Sequence, residues 1–267
     1  MADDWRELNL ANWNDRVPIH LASGFYDVAG FRVKQDTLRE FELAEVGDVD
    51  GKSLLHLQCH IGLDTLSWGR RGAQVTGLDF SAPAIDAARD IAASIGVDAE
   101  FVTADVYDAA AVFADRSFGI VYTGIGALYW LPDIPRWAQV AASLVKPGGF
   151  LYLVEGHPVS LMLDYETGTT VEQDYFDTGG QVYDDSHTYT GDDAVIEHGR
   201  NVQFAHPIGE VVTALAAAGL RIEFLHEQDF ALFGAFRALE ERNGEFRVPA
   251  GQPRVPLMYS LRASHPS

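Results

Sequence analysis

Two acids and one turn are spaced to hold a nucleoside. The turn His56-Leu57-Gln58-Cys59-His60-Ile61-Gly62 follows one apolar run, Asp79 closes a second, and Asp105 lies just past a third. A carboxylate at a strand tip can accept from both hydroxyls of a ribose, because an ionised acid offers about four lone-pair sites. Phe80 beside it presents an apolar face to an adenine ring, and Asp105 can accept from the adenine amino group. His157, after Glu155-Gly156, and His206, ahead of a helical segment, stand where a general base would be wanted. Gly124-Ile125-Gly126-Ala127-Leu128-Tyr129-Trp130 follows a fourth strand, and its glycines permit close backbone approach. Tyr129, Trp130 and Glu155 are the candidate walls of a substrate pocket.

The frame for these residues is read from periodicity. Apolar runs at Ser53–Leu57, Gln74–Asp79, Glu100–Thr103, Phe118–Tyr122 and Phe150–Val154 alternate with helical spacings, the pattern of βαβ units on a parallel sheet. Ser81 is a good N-cap with Pro83 in the first turn, and Ile85, Ala88, Ile91 and Ile95 recur behind it at helical spacing. Trp137, Val140, Ala141 and Leu144 give the next helix one buried face, ending at Lys146-Pro147-Gly148-Gly149. A parallel sheet places ligands at the carboxyl ends of its strands, where the turn, Asp79 and Asp105 collect. From His157 to His206 the pattern breaks into Asp-, Tyr-, Thr- and Gly-rich sequence, in which Thr188-Tyr189-Thr190 and Val202-Gln203-Phe204 suggest small strands. A structureless loop of that length is unusual, so a lid is expected. Regular pattern resumes with a helix over Ile208–Leu215, a strand over Arg221–His226 and a last strand through Leu257, Tyr259 and Leu261. The expected organisation is a helical cap over 1–50, a ligand-binding core over 51–156, an insertion over the substrate site at 157–206, and completion of the sheet by 207–267.

The string Gly77-Leu78-Asp79-Phe80-Ser81, then Ala104-Asp105-Val106, then Leu144-Val145-Lys146-Pro147-Gly148-Gly149, resembles the successive motifs of class I S-adenosylmethionine-dependent methyltransferases. The likeness runs from about Ser53 to Glu155. The segments Ala205-His206-Pro207 to Phe224-Leu225-His226 and Pro256 to Leu261 resemble a bacterial small-molecule subgroup. The resemblance implies a Rossmann-like α/β fold: a seven-stranded, mostly parallel sheet with helices on both faces, its last strand antiparallel, and an inserted lid before the last helix–hairpin unit. It also implies S-adenosyl-L-methionine as cofactor and methyl transfer to an oxygen, nitrogen or carbon of a small molecule. Asp79 would then hold the ribose, Phe80 and Val106 flank adenine, and Asp105 bond its amino group. Gln58, Cys59, His60 and Gly62 would lie along the methionine portion, Gly124 would border the methyl, and Trp13 and Tyr26 would close the site from the N-terminal segment. The first motif departs from the family pattern: His56 replaces the acid, and Gln58 and His60 replace the first two glycines. Leu57-Gln58-Cys59-His60 resembles a variant of this motif found within the subgroup.

Two other readings compete. An NAD(P)-dependent oxidoreductase would want G-x-G-x-x-G before a helix N-terminus, whereas this turn has one glycine, and Asp64 in the first helical turn repels a diphosphate. A non-catalytic adenosylmethionine or adenosine-ligand binder is the other.

Charge bounds the partners. Lys+Arg number 19 against 39 Asp+Glu, a net charge of −20, which disfavours nucleic acid and anionic membranes. A small-molecule substrate is expected, with a homodimer as the assembly to consider. The single cysteine, Cys59, excludes an intrachain disulfide and a cysteine-based zinc site. Met1-Ala2-Asp3-Asp4-Trp5 has no signal-like features, and no stretch approaches the roughly 20 apolar residues of a membrane span, so a cytoplasmic location is expected. Asp184, Asp185, His187, Asp192 and Asp193 lack a fixed ligand spacing, so no metal is expected.

Overall fold

A computed structural model describes residues 4–33, 36–191 and 193–266; Asp192, one of the acids weighed for a metal, lies outside them. Three helices come first: α1 (Trp5–Ala22), α2 (Val28–Arg32) and α3 (Glu40–Val46). The core alternates β1 (Ser53–Leu57), α4 (Leu63–Arg70), β2 (Gln74–Asp79), α5 (Ala82–Ile95), β3 (Ala99–Thr103), α6 (Ala109–Val112), β4 (Phe118–Thr123), α7 (Ile134–Ser143) and β5 (Val145–Gly156). The insertion carries α8 (Pro158–Leu161), β6 (Gln181–Asp184) and β7 (Arg200–Gln203). Then come α9 (Ile208–Ala217), β8 (Arg221–Gln228), β9 (Phe230–Ala231), β10 (Glu240–Arg242), β11 (Glu245–Arg247) and β12 (Met258–Ser264).

The main sheet has seven strands in the order β3-β2-β1-β4-β5-β12-β8, and β12 is antiparallel to both neighbours. Strand order reverses between β1 and β4, the point in such sheets where ligands bind above the carboxyl ends of the strands. Alternate residues along each strand serve opposite faces. Leu55, Leu57, Val121, Leu151 and Leu153 pack against Trp137 and Ala141 of α7 and Leu215 of α9. Leu54, Ile120, Tyr122, Tyr152 and Val154 pack the other face, with Val46 of α3 and Trp68 of α4. Both faces are covered, which is why these strands read as unbroken apolar runs. Ser81 caps α5, accepting from Ala84 N at 3.3 Å.

Two sequence expectations give way, and one element was not expected. β5 begins at Val145, so Lys146-Pro147-Gly148-Gly149 lies inside the strand, accommodated by a register shift opposite Phe118 and Ile120. Thr188-Tyr189-Thr190 is not a strand; β7 pairs instead with Gln181–Asp184. Between β8 and β12 a second sheet, β10-β11-β9, packs on the α3 side through Phe41 and Phe230, whose rings lie 5.8 Å apart. Strands of two or three residues are too short to display a period.

Candidate functional site

The turn after β1 keeps the backbone that glycines would have supplied. Gln58, His60 and Gly62 all adopt positive φ, at 58°, 49° and 77°. An L side chain in this region costs roughly 1–2 kcal/mol, and such strain persists only where the surroundings impose it. Hydrogen bonds from distant elements do so here. Gln58 Nε2 donates to Ala127 O at 2.9 Å, Cys59 N to Leu78 O at 2.9 Å, and His60 N to Asp79 Oδ2 at 2.8 Å. Beneath the turn, Cys59 is buried among Ile61, Ala88 and Phe101, so its side chain faces the core rather than the cleft. Gly62 is required by packing: a Cβ there would sit 2.8 Å from the Phe101 ring and 2.9 Å from Ala88. His56 is buried in β1 with Nδ1 on Thr65 Oγ1 at 2.8 Å, and burial lowers its pKa to about 3.

Asp79 stands at the tip of β2, 6% exposed. Its Oδ1 accepts from Ser81 N at 2.9 Å and its Oδ2 from His60 N at 2.8 Å, leaving further lone pairs for two hydroxyl donors. Burial raises its pKa to about 6, against the opposing effect of those backbone donors. Phe80 beside it is partly exposed, and Val106 is buried. Asp105 is already engaged: Oδ1 accepts from Tyr107 N at 2.8 Å, and Oδ2 pairs with Arg6 Nε at 2.8 Å. Arg6 therefore occupies the edge where an adenine amino group was expected.

α1 roofs the carboxyl ends of the strands. Ser81 Oγ donates to Asn14 Oδ1 at 2.7 Å. The Trp13 ring packs edge-on against His60 at 5.1 Å and Trp130 at 5.2 Å. His20 bridges two regions, with Nδ1 on His60 Nε2 at 2.8 Å and Nε2 on Thr188 Oγ1 at 2.7 Å. Tyr26 reaches Tyr189 through their hydroxyls, 2.5 Å apart. Asn9 grips β7 at both polar atoms, giving to Val202 O at 2.8 Å and accepting from Val202 N at 2.7 Å. Trp13 and Tyr26 thus lie where a closing segment was expected, together with four polar residues absent from the expected site: Asn9, Asn14, Arg16 and His20. The signal for three of them was available: Asn9, Arg16 and His20 recur at helical spacing, with Asn12, on the buried face of α1.

Arg16 is 4% exposed and surrounded by Trp13, Trp130 and Tyr189, whose ring centres lie 5.1, 5.3 and 5.9 Å from Cζ. Its Nε donates to Asn12 Oδ1 at 2.7 Å. Among the described residues no carboxylate reaches ion-pair distance; Asp185 acts on it only from farther away, and burial lowers its pKa. Arginine nonetheless remains a cation. Close by, the buried Gln58 Oε1 lacks a hydrogen-bond donor. An uncompensated cation and an orphaned acceptor flank the same strained turn.

On the opposite side of the β4 loop, Glu155 is 2% exposed and both oxygens are filled. Oε1 accepts from Gly126 N and Gly156 N at 2.7 Å each, and Oε2 from Leu128 N at 2.8 Å. Burial raises its pKa to about 7. These bonds fix the loop that carries Gly124, Tyr129 and Trp130. Tyr129 turns toward a cleft walled by α8 and the β6–β7 hairpin, while Trp130 turns toward α1.

Neither expected base is free. His157 Nδ1 accepts from Val159 N at 3.1 Å, which places the proton on Nε2, 3.0 Å from Glu227 Oε1. His206 Nε2 donates to Leu131 O at 2.8 Å, and Nδ1 faces Glu210 Oε2 at 3.1 Å. Both cap or brace local structure.

Residues 54–149 match the family model described as "Methyltransferase domain". A ubiquinone biosynthesis O-methyltransferase of Cronobacter sakazakii is 35% identical over 136 residues, covering 49% of this chain and 55% of that protein. The chain thus spans about half the length of the curated relatives it matches. A solved structure from Methanosarcina mazei, described as a SAM-dependent methyltransferase, superposes with a TM-score of 0.58 at 20% identity, covering 87% of this chain and 99% of that one. A DhpI–SAH complex gives the same TM-score at 17% identity, with 100% and 99% coverage. Among the described residues no helix is long and apolar enough to cross a membrane. Residues 54–149 therefore match a methyltransferase domain, and the whole chain shares its fold with the solved methyltransferase structures.

Proposed function

We propose that the protein transfers a methyl group from S-adenosylmethionine to a small-molecule acceptor. The observation that carries this is Asp79, a buried carboxylate with spare lone pairs beneath a turn held left-handed at three alternate positions. The residues present fit the donor. Asp79 accepts from the ribose hydroxyls, Phe80 and Val106 flank the adenine, Arg16 meets the carboxylate of the methionine portion, and Gln58 Oε1 accepts from its ammonium. Asp105 accepts from the adenine amino group once Arg6 has moved aside. When bound, the donor supplies an electrophilic methyl: the acceptor's lone pair forms the new bond to carbon as the carbon–sulfur pair returns to sulfur.

The chain's own part is positional. α1 covers the donor and excludes water, and the Glu155-braced loop borders the place where donor and acceptor meet. The insertion at 157–206 forms the acceptor side as a lid, while 1–50 acts as a cap. Orientation in a dry pocket supplies several kcal/mol of such a displacement. With His157 and His206 engaged at both ring nitrogens, the reading assigns neither as base. Acceptors whose nucleophile carries its own available lone pair are favoured. The net charge of −20 supports a small molecule over a polyanion.

The test is transfer of labelled methyl from adenosylmethionine to a metabolite pool, paired with a thermal-shift panel. Stabilisation by adenosylhomocysteine but not by NAD or NADP is expected. Stabilisation by NAD alone would refute the proposal in favour of the oxidoreductase.

A further inference from the structure

We infer that Asp64, in the first turn of α4, takes the ammonium of the donor's amino-acid end, so that Asp64 and Arg16 together bind that end as a zwitterion; this rests on the methyl-transfer reading. The turn after β1 joins the residue to the Asp79 site. It is held on Asp79 through His60 N at 2.8 Å and runs through Gly62 directly into α4, whose second residue is Asp64. The Cys59 thiol beneath the turn is pushed up by burial first, then by Asp79, and Asp64 adds to the rise. Both carboxylates therefore stand within electrostatic reach of one buried sulfur. A Cβ on Gly124 would lie 3.4 Å from His56 Nε2 and 3.6 Å from Asp64 Oδ2. These two atoms converge on the start of the β4 loop, where strand order reverses between β1 and β4.

Asp64 is short of a cation. It is half-buried, and Oδ1 accepts from the Thr37 hydroxyl at 2.5 Å. Among the described residues Oδ2 has no hydrogen-bond or ion-pair partner. Burial raises its pKa and Asp36 adds to the rise; the Thr37 hydroxyl and Arg39 oppose it, Arg39 from beyond ion-pair distance. Glu42 is a second acid within reach, with Oε1 taken by the Tyr122 hydroxyl at 2.6 Å and Oε2 by Arg39 N at 2.9 Å. His56 is 3% exposed, and among the described residues its Nε2 has no hydrogen-bond partner, Nδ1 being on Thr65.

Arg16 is the opposite half, 4% exposed and without a carboxylate at ion-pair distance. The two charges meet at Tyr26, whose ring lies 5.6 Å from that of His60. Burial and Tyr189 hold the Tyr26 hydroxyl far above the usual phenol range; Asp64 raises it further and Arg16 lowers it. A cation and an anion thus act on one hydroxyl beside the turn, yet they do not pair with each other. An amino-acid end satisfies both at once, with three ammonium donors and about four carboxylate lone pairs. Gln58 Oε1 and Asp64 Oδ2 then accept two of the three ammonium protons. A tail lacking either charge leaves one protein charge desolvated and unpaired, which is costly.

Calorimetry on the protein tests this with four ligands that share the adenosine thioether: adenosylhomocysteine, its deaminated and decarboxylated analogues, and methylthioadenosine. The wild type is expected to bind adenosylhomocysteine at least about tenfold tighter than the deaminated analogue, because a charge-assisted contact is missing. Asp64→Asn, checked for folding by circular dichroism, should weaken adenosylhomocysteine and the decarboxylated analogue about thirtyfold and leave the other two ligands within about twofold. Should the variant fail to fold, the wild-type comparison decides alone. If adenosylhomocysteine does not bind the wild type, the methyl-transfer reading falls and this inference with it. If it binds, three results each overturn the Asp64 assignment alone: equal affinity for the deaminated analogue, an unchanged Asn variant, or an equal loss of all four ligands.

Discussion

On the α1 side of the β4 loop, Asp79, Arg16 and His20 are buried, and their neighbours come from α1, β1, β2 and the insertion. On the side of the β6–β7 hairpin, Gln173, Asp174 and Tyr183 are exposed, and Tyr183 bonds a residue two positions away on its own strand. Long-range contacts fix the first region throughout; in the second they reach β7, which Asn9 grips, while the three residues just named stay on the outside. On the methyl-transfer proposal the first region holds one donor in a single pose, whereas the second opens and closes around an acceptor, and loops of low local stability suit that work.

Two glycines with the same φ of 77°, one on each side, sharpen this contrast. Gly62→Ala adds a Cβ 2.8 Å from the Phe101 ring as well as backbone strain, and should cost about 3 kcal/mol of unfolding free energy. Gly191→Ala in the insertion meets nothing within 4 Å and should cost about 1 kcal/mol, from the strained φ alone. Chemical denaturation of both variants reads the difference. Equal losses would mean that the lid is as tightly built as the donor turn.

The next effect in size concerns Arg16. Arg16→Met should weaken adenosylhomocysteine binding about thirtyfold, the equivalent of one charge-assisted hydrogen bond of about 2 kcal/mol. Thermal stability should hold or rise, since a buried cation without an ion-pair partner is removed. A drop in stability with unchanged affinity would reassign Arg16 to structure.

Acidity should loosen one region before the other. Burial lowers His20 to about 2 and His60 to about 3, below the usual value near 6.5. Their contribution to the closed cap is therefore complete above that value and is lost as pH falls below it. Asp79 and Glu155, raised to about 6 and about 7, run the other way: their contributions are present at low pH and are lost as pH rises through those values. Protection factors at Thr188 and Tyr189, with exchange corrected for its intrinsic dependence on pH, should fall between about pH 7.5 and about 5.5 in the wild type, and should change less in His20→Gln. Protection that rises on acidification would place the carboxylates, not the imidazoles, in control. The smallest effect belongs to the lid: Tyr183→Phe should leave stability within about 0.5 kcal/mol.

The sequence was most legible where chain-local chemistry and periodicity coincide. β1 to β4 and the capped start of α5 at Ser81 follow from apolar runs and one serine. Asp79 was legible as an acid at a strand tip. The turn was legible only by resemblance, because positive φ at Gln58 and His60 is imposed by Ala127 O, Leu78 O and Asp79, which lie far along the chain or across the sheet. The engagement of His157, His206 and Asp105 was invisible for the same reason: Glu227, Leu131 and Arg6 meet them only after folding. Strands β9 to β11 were too short to be read.

The most direct test is calorimetric titration of adenosylhomocysteine into the wild type and Asp79→Ala, with circular dichroism to confirm that both are folded. Saturable binding to the wild type and a loss of about a hundredfold in the variant are expected, since two hydroxyl contacts to one carboxylate disappear. Equal affinity in the two proteins would contradict the account.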